Sequence, residues 1–287
     1  SLWWPLWQKK IIKDLSNEKD LPLYAVKRLH LVVGQRCNQH CVMCTSRDDS
    51  VVMNPSLYIT HLKPLYEHLE ECIIQGGEPT IIKDARQCFD YIAQQNEDVR
   101  FSMMTNGRAF DEEWQKRFVQ RGKSVNFSIN AATETTYRAV MKNGDWHSVL
   151  ENLNNLVQKK EKFGSRLKIT VSFVIITENK HEMFDFAKMA LHLGCNSVRF
   201  FHDSRRLPEH GFQEKEQIQA IFQLGQEHNM NIEGLAQFEK RQQGKTPLLD
   251  NCDLPFRALF VHADGRVSFC CHMRDYLGNV FDSPIKE

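Results

Sequence analysis

Short runs rich in β-branched and apolar residues recur along the chain, and each is followed by a longer stretch with helical spacing. The runs cover residues 28–33, 71–75, 100–104, 124–129, 167–175 and 197–201. Several helical stretches end on a glycine, as is common at helix C-termini: Gly122, Gly164 and Gly194. Six strands alternating with helices predict βα units and a parallel sheet, and therefore an α/β fold. A doubly wound Rossmann-like sheet and a complete or partial barrel both fit this pattern.

Both ends of the chain depart from the alternation. Residues 1–26 contain three tryptophans but no basic region followed by an apolar one, so we expect an N-terminal helical cap and not a signal peptide. An interfacial anchor or a partner-docking segment is the alternative. Helical spacing stops around residues 241–251, and "VHADGRVSFCC" predicts a hairpin. The predicted domains are therefore the cap at 1–26, a core at 27–240 and a C-terminal segment at 241–287.

Composition narrows the class of protein. A chain of 287 residues with 41% hydrophobic and 25% charged residues is typical of a globular protein, and a net charge of +1 indicates no nucleic-acid or membrane partner. Nine cysteines without a secretory signal predict reduced thiols in a cytoplasmic protein, some of them metal ligands. Cys72, Cys88 and Cys195 stand alone in apolar surroundings, which predicts buried core thiols.

Three cysteines are concentrated in "CNQHCVMC", where Cys37, Cys41 and Cys44 have the spacing C-x3-C-x2-C. They follow the first predicted strand directly, at the carboxyl edge where α/β proteins bind ligands. Iron–sulfur cubanes are normally held by four thiolates, so three would leave one iron open. An open coordination position is typical of a reactive metal site. A zinc site or accidental clustering is the alternative, although no fourth Cys or His lies at a usual zinc spacing.

The second predicted strand ends in "GGEPT", again at the carboxyl edge. Gly76 and Gly77 allow close approach of the backbone to a ligand, and Glu78 can accept a hydrogen bond from an ammonium group. The turn is weak evidence alone. It becomes strong evidence one βα unit after the three cysteines.

Together these two motifs resemble those of the radical S-adenosylmethionine (SAM) enzymes, and the resemblance extends over about residues 27–205. It implies a partial (β/α)6 barrel, with Cys37, Cys41 and Cys44 holding a [4Fe–4S] cluster whose open iron is chelated by SAM. It also implies reductive cleavage of SAM to a 5′-deoxyadenosyl radical that abstracts a substrate hydrogen. An external one-electron reductant, similar to flavodoxin or ferredoxin, would supply the electron.

Further family positions carry over to this sequence. Gly76, Gly77 and Glu78 match the turn that contacts the methionine ammonium of SAM. Ser128 and Asn130 match the polar positions of the fourth strand that touch its ribose or carboxylate. Lys142 stands where many members have a carboxylate-binding arginine, and Met43 stands where an aromatic residue is usual. Weaker candidates from strand ends are Thr177, Glu178, Arg199, Phe201, His202, Asp203 and Arg205.

The C-terminal segment contains Cys252, Gly265 and Cys270 at the spacing C-x12-G-x4-C. This resembles the start of the SPASM or shorter twitch extension, which houses auxiliary iron–sulfur clusters in related enzymes. Such extensions normally add later cysteines, and this sequence ends without them. We expect either a tail beyond the sequence, an incomplete auxiliary site, or ligation by Cys271 and His272. A structural zinc site is the alternative.

We therefore expect a radical SAM oxidoreductase or modifying enzyme that acts on a small molecule or a peptide. The 26 residues before the first strand are too few for the peptide-recognition domain that often precedes peptide modifiers, which favours a small molecule or short peptide. The alternative is a non-catalytic iron–sulfur electron carrier or interaction module. The Gly-Gly-Glu-Pro turn argues against it, because an electron carrier needs no ammonium-binding turn.

Overall fold

The computed structural model describes residues 26–44, 50–207, 214–236, 257–268, 276–282 and 285. All six predicted strands are present, as β1, β3, β4, β5, β7 and β8. The strands in chain order are β1 (Arg28–Val32), β2 (His40–Cys41), β3 (Glu71–Gln75), β4 (Arg100–Thr105), β5 (Gly122–Ser128), β6 (Met141–Lys142), β7 (Lys168–Ile175), β8 (Ser197–His202), β9 (Asn231–Glu233), β10 (Ala258–Val261), β11 (Arg266–Ser268) and β12 (Gly278–Asn279).

The helices follow the predicted alternation, with one addition. They are α1 (Lys83–Gln95), α2 (Glu112–Arg121), α3 (Glu134–Val140), α4 (Trp146–Lys162), α5 (Met183–His192) and α6 (Lys215–Glu227), and α3 is the one that the sequence pattern did not predict. Side-chain caps fix several N-termini: Asp111 accepts from the Trp114 amide at 3.0 Å and Asp145 from the Ser148 amide at 3.1 Å. Among the described residues, no helix combines the length and apolarity needed to cross a membrane.

The strands form one sheet in the order β12-β11-β10-β1-β3-β4-β5-β7-β8-β9. From β10 to β9 every pairing is parallel, and the strands from β1 to β9 that belong to this sheet are neighbours in chain order. A doubly wound sheet would reverse direction at a switch point, and this sheet does not. The fold is therefore the barrel type of α/β fold, left open at β9 and at β12 within the described residues.

The two faces of the sheet have different chemistry. Leu29 and Leu31 of β1 are fully buried on the helix side, whereas Arg28, His30 and Val32 alternate with them on the inner side and are partly exposed. The helix side is packed with aromatic rings, including the stacked pair Phe89 and Phe101 with Trp114 and Phe118 beside Phe89. The predicted core thiols are confirmed, because Cys72, Cys88 and Cys195 are buried.

The inner side is instead rich in hydroxyl and amide groups. Ser124 donates to Ser102 at 2.9 Å, and Asn126 donates to Ser172 at 2.9 Å. Ser172 in turn donates to Ser128 at 3.3 Å. Polar side chains can face the barrel interior only where hydrogen bonds or solvent satisfy them. The interior of this open barrel is therefore suited to polar ligands.

The C-terminal hairpin joins the same sheet as the core. Strand β10 pairs in parallel with β1, with Arg28 opposite Ala258 and His30 opposite Phe260. Strands β10 and β11 are antiparallel, which confirms the predicted hairpin at "ADG". Several predicted features lie outside the described residues: the boundary at 241–251, residues 1–25 of the cap, and the candidate ligands Cys252, Cys270, Cys271 and His272. The proposed division into core and C-terminal segment thus falls within one continuous sheet.

Candidate functional site

The cysteine loop folds over the carboxyl edge of the sheet. Its middle is held by the short antiparallel pair β2–β6, in which Cys41 lies opposite Met141 and His40 opposite Lys142. The Cys44 amide donates to the Cys41 carbonyl at 3.1 Å, which turns the chain back. Cys37 and Cys41 are half-buried and Cys44 is exposed. All three side chains line one cavity of about 470 Å³.

The cavity also receives several other residues that the sequence singled out. Gly76, Gly77, Ser128, Asn130 and Met43 line it together with the three cysteines. The carboxyl ends of β1, β3, β4 and β5 thus meet at one place, as expected for parallel strands. Lining residues that sequence reasoning did not assign to the site include Gln35, Gln39, Gln75, Met104, Met141, Phe260 and His262.

Gly76 and Gly77 serve a packing need that the sequence alone did not indicate. A Cβ atom on Gly77 would overlap the carbonyl oxygens of Gln35 and Arg36, and one on Gly76 would overlap that of Gly34. The Gly77 amide donates to the Gly34 carbonyl at 2.9 Å. The turn after β3 therefore lies directly against the start of the cysteine loop, and only glycine permits this approach.

Glu78 is fully buried, and its carboxylate accepts four hydrogen bonds from the protein. The donors are the Thr80 amide at 3.0 Å and its hydroxyl at 2.6 Å, the Thr105 hydroxyl at 2.8 Å and the Asn106 amide at 2.6 Å. Burial raises the pKa of Glu78, and these donors oppose that rise. Glu78 is not among the described lining residues. Its predicted contact with an ammonium group stays a prediction, while the carboxylate observed here joins the turns after β3 and β4.

Asn106 extends this network to the cysteines. Its side-chain amide donates to Asn38 Oδ1 at 2.7 Å and to Cys37 Sγ at 3.8 Å. Burial raises the pKa of the Cys37 thiol, whereas hydrogen bonds from the Gln39 backbone and from Asn106 favour the thiolate and lower it. The turn after β4 thus supports Cys37 directly.

The predicted polar positions at the end of β5 occupy different surroundings. Ser128 lines the cavity and accepts from Ser172. Asn130 also lines it, but its Oδ1 accepts from the Val174 amide at 2.7 Å and its Nδ2 donates to Met141 Sδ at 3.2 Å. Lys142 is exposed and does not line the cavity, where Met141 appears instead. The structure therefore does not bring Lys142 together with the other candidates, and its carboxylate contact stays a prediction.

None of the strand-end candidates of the sequence lines this cavity. Arg199 pairs with Glu233 at 2.6 Å, Asp203 with Arg205 at 2.9 Å and Glu178 with Arg206 at 2.6 Å. Thr177 donates to the Arg206 carbonyl at 2.7 Å. The two contacts of Arg206 join the loops after β7 and β8, whereas Arg199 links β8 to β9 and the Asp203–Arg205 pair lies within one loop.

Phe260 and His262 enter the cavity from the C-terminal hairpin. The Phe260 ring stacks on His30 with 3.9 Å between centroids, which anchors the hairpin to the inner face of β1. Burial lowers the pKa of His262. No local sequence pattern could identify these two residues, because their position depends on the pairing of β10 with β1.

The donor set at the cavity fits an iron–sulfur cluster. Three thiols share one wall, and N–H donors already point at one of them. Within the described ranges, no three His, Cys, Asp or Glu side chains are arranged to hold a single metal ion. A four-iron cubane occupies more space than one ion, so more widely spaced thiols suit it. The remaining wall of glycine backbone, Ser128 and Asn130 leaves room for a polar cofactor beside the cysteines.

Comparison with known families agrees with this arrangement. The model of the Radical SAM superfamily matches residues 31–190, and that of the SPASM iron–sulfur cluster-binding domain matches residues 252–287. The chain belongs to the radical SAM superfamily. Its cofactors are therefore a [4Fe–4S] cluster and SAM, and the SPASM match adds auxiliary iron–sulfur clusters to the expected set.

The curated relatives are distant. The GTP 3′,8-cyclase of Desulforamulus reducens is 26% identical over 186 residues, which covers 61% of this chain and 54% of that protein. A probable GTP 3′,8-cyclase of Saccharolobus solfataricus is 21% identical over 175 residues, which covers 59% of this chain and 54% of that protein. The chain spans about half the length of these relatives.

Two solved structures confirm the fold. Streptococcus suis SuiB, bound to its precursor peptide SuiA, has a TM-score of 0.67 at 12% identity and covers 97% of this chain and 67% of its own. The enzyme anSMEcpe with bound AdoMet has a TM-score of 0.66 at 17% identity and covers 90% of this chain and 79% of its own. Both support the partial barrel with a C-terminal extension.

Proposed function

We propose that this protein cleaves SAM reductively and abstracts a hydrogen atom from a small molecule or a peptide, as an oxidoreductase or modifying enzyme. One observation carries the proposal: Cys37, Cys41 and Cys44 line the same cavity as Gly76 and Gly77 of the Gly-Gly-Glu-Pro turn, at the carboxyl edge of the barrel. The bound cluster and SAM would together supply the electron transfer and the 5′-deoxyadenosyl radical.

The residues of the chain have distinct tasks in this proposal. The three cysteines would hold the cluster as thiolates and leave one iron for the cofactor. The backbone at Gly76 and Gly77, together with the lining residues Ser128 and Asn130, would orient the cofactor. Glu78 and Asn106 keep the loops fixed through the hydrogen bonds described above. Such fixed positioning and exclusion of water are what a protein contributes to cofactor chemistry.

The substrate is proposed only as a class. The distant relatives carry the name GTP 3′,8-cyclase, and SuiB was solved with a peptide. Among the described residues that line the cavity there is no Lys, Arg, Asp or Glu, and the polar groups besides the three thiols are amides, hydroxyls and His262. This wall would recognise hydrogen-bonding groups of a substrate. It is compatible with a polar small molecule and with a peptide backbone.

The decisive experiment uses the anaerobically reconstituted full chain, dithionite and SAM. We expect 5′-deoxyadenosine from the parent and none from Cys37→Ala, Cys41→Ala or Cys44→Ala, because each loses one iron ligand. Cys195→Ala is the matched control, since Cys195 is a buried core thiol. It should retain 5′-deoxyadenosine formation. Undiminished product from any of the three cavity variants, or none from the parent, would defeat the proposal, and the latter outcome would favour an electron carrier.

The same assay can separate the substrate classes. GTP and peptides encoded beside this gene are added separately to the parent, and stimulation of 5′-deoxyadenosine formation is measured. The stimulating compound should also acquire a new chemical bond or lose hydrogen, which mass spectrometry detects. Stimulation by peptides alone would assign the peptide class, and stimulation by GTP alone would assign the small-molecule class.

We also propose that Cys252 and Cys270 ligate an auxiliary cluster, in keeping with the SPASM match over residues 252–287. Their paired replacement by alanine should lower iron and sulfide per chain while 5′-deoxyadenosine formation continues. An auxiliary cluster can accept an electron from a substrate radical, so product should suffer more than SAM cleavage. Equal iron in the parent and the paired variant would contradict this assignment.

A further inference from the structure

Gln39 lies inside the cysteine loop, between Cys37 and Cys41, and only 1% of it is exposed. Its Nε2 donates to the Tyr137 hydroxyl at 2.9 Å, and its Oε1 accepts from the Cys41 thiol at 3.7 Å. Tyr137 belongs to α3 and is fully buried. Burial raises the pKa of Tyr137 to about 12, so the phenol keeps its proton at neutral pH. A buried chain of hydrogen bonds therefore connects Tyr137, Gln39 and Cys41.

The direction of this chain suits a thiol and does not suit a thiolate. A cysteine that ligates iron has lost its proton and can only accept hydrogen bonds. The Gln39 oxygen, also an acceptor, would then face the negative sulfur of Cys41 with no proton between them. Because Gln39 is buried and its oxygen cannot turn to bulk water, this mismatch would be costly.

Reversal of the Gln39 amide removes the mismatch without any other movement. The nitrogen and oxygen ends of the amide have almost the same shape, so exchanging them alters only the direction of the bonds. The amide nitrogen then donates to the Cys41 sulfur, and its oxygen accepts from the Tyr137 hydroxyl. A phenol can serve as donor or acceptor, so every group in the chain is satisfied in both states.

We propose that Gln39, oriented by Tyr137, donates a hydrogen bond to the Cys41 thiolate and raises the reduction potential of the cluster. The inference rests on the proposed function, because it requires the cluster. Asn106 provides an internal precedent, since its amide already donates to Cys37 Sγ. Gln39 would be the corresponding donor for the second cysteine.

The effect on the potential follows from electrostatics. Reduction adds one negative charge to the cluster and its sulfur ligands, and a hydrogen bond donated to a ligand sulfur stabilises that charge. Removing the donor therefore makes reduction harder. A hydrogen bond that is about tenfold more favourable to the reduced cluster than to the oxidised one raises the potential of a one-electron couple by about 59 mV.

The test is a redox titration of the reconstituted full chain without SAM, followed by electron paramagnetic resonance. Gln39→Leu should lower the midpoint potential by about 59 mV, the equivalent of about tenfold. Tyr137→Phe removes only the hydroxyl that orients the amide, and it should shift the potential in the same direction by less.

Two variants distant from the cysteines serve as matched controls. Gln115→Leu removes a buried glutamine that donates to the Phe110 carbonyl, and Tyr66→Phe removes a buried hydroxyl that donates to the Tyr58 carbonyl. Both should destabilise the fold without moving the potential. Iron content is measured for every variant, and exchangeable deuterons near the reduced cluster are counted by electron–nuclear double resonance in the parent and in Tyr137→Phe.

Each outcome is decisive. Lower potentials in Gln39→Leu and Tyr137→Phe, with unchanged controls, support the inference. If Gln39→Leu binds a full cluster and keeps the midpoint potential of the parent, the inference is overturned. If the potential shifts in Gln39→Leu but not in Tyr137→Phe, the orienting contribution of Tyr137 is overturned. If Gln39→Leu binds no cluster, the inference is overturned when Tyr137→Phe has the midpoint potential of the parent and the same exchangeable deuteron couplings. If the parent cleaves SAM but neither variant shifts the midpoint potential, only this inference is defeated. If the parent binds no cluster, the proposed function is defeated as well.

Discussion

Two buried carboxylates at opposite ends of β3 are held in different ways. Glu71, at the first residue of the strand, accepts from Ser102 at 2.6 Å and pairs with Lys123 at 2.5 Å and with Arg28 at 3.4 Å. Glu78, three residues after the strand ends, is held by amides and hydroxyls alone in the hydrogen bonds described above. One carboxylate is therefore compensated by cations and the other by neutral donors.

This difference distinguishes the amino-terminal end of β3, where Glu71 lies, from its carboxyl-terminal end, where the cavity lies. Ion pairs with partly exposed cations contribute little stability, because water solvates the same charges well. Neutral donors that are themselves buried and fixed cannot be replaced by water without cost. Glu71 therefore contributes little to the stability of the fold, whereas Glu78 determines where the turns beside Cys37 lie. Three substitutions and one titration test this contrast.

The largest effect is expected from Gly77→Ala. The new methyl group would overlap the Gln35 and Arg36 carbonyl oxygens and push the turn away from the cysteine loop. We expect a loss of about 3 kcal/mol in the free energy of unfolding and a marked fall in iron content after reconstitution. Chemical denaturation and iron analysis measure both. Gly278→Ala is the control because its new methyl group meets no atom within 4 Å, and a similar loss there would contradict the packing explanation.

Glu78→Gln should come next. The new NH2 group faces donors where the carboxylate offered acceptors, so we expect a loss of about 2 kcal/mol and a lower iron content. The iron effect follows because Asn106, which binds Glu78 through its backbone, supports Cys37 through its side chain. Unfolding by urea and iron per chain are the measurements. Normal iron content would show that the network does not reach the cysteines.

Glu71→Gln, the matched change at the other end of β3, should cost about 1 kcal/mol or less. Its amide oxygen can still accept from Ser102, and its cationic partners can turn to solvent. Iron content and 5′-deoxyadenosine formation should equal those of the parent. A drop in either that matches the effect of Glu78→Gln would remove the distinction between the two ends.

The smallest effect concerns His30, which lies on the inner face between these ends. Burial lowers the pKa of His30 from 6.5 to about 4, so the folded protein favours the neutral ring. This contribution to stability is complete above pH 6.5 and is lost as the pH falls from 6.5 toward 4, because the unfolded chain then binds more protons. His30→Phe keeps a ring against Phe260 but does not titrate. Its stability should fall about 1 kcal/mol less than that of the parent over this interval, and parallel pH curves would contradict the effect.

Local patterns predicted the strands, most helices and the cysteine cavity. Alternation and capping are properties of neighbouring residues, so six strands and the loop with Cys37 could be located from the sequence. Helix α3 was missed because "ETTYRAV" is only seven residues long and contains two threonines, which are weak helix formers. Lys142 was predicted to contact the carboxylate of SAM, which stays a prediction, and the structure shows that its neighbour Met141 lines the cavity.

The remaining features depend on contacts between distant residues. Two of the four donors to Glu78 come from the turn after β4, so the sequence around Glu78 gives no sign of them. Gln39 and Tyr137 are separated by 98 residues, and Gln39 looks like any polar loop residue until α3 is placed. Phe260 and His262 likewise acquire meaning only when β10 lies beside β1. Long-range pairing therefore sets the limit of what the sequence could predict.

The pairing of β10 with β1 also has a consequence for biosynthesis. Strand β1 leaves the ribosome before its partner Ala258–Val261, which follows about 230 residues later, on the order of 10 to 50 s at roughly 5–20 residues per second. During that interval one edge of β1 is bare, and bare strand edges invite pairing with other chains. The cysteine loop begins at this same strand. Its surroundings are therefore completed only after β10 has been synthesised, so cluster insertion belongs after that point and the nascent chain before it is the stage most exposed to misassembly.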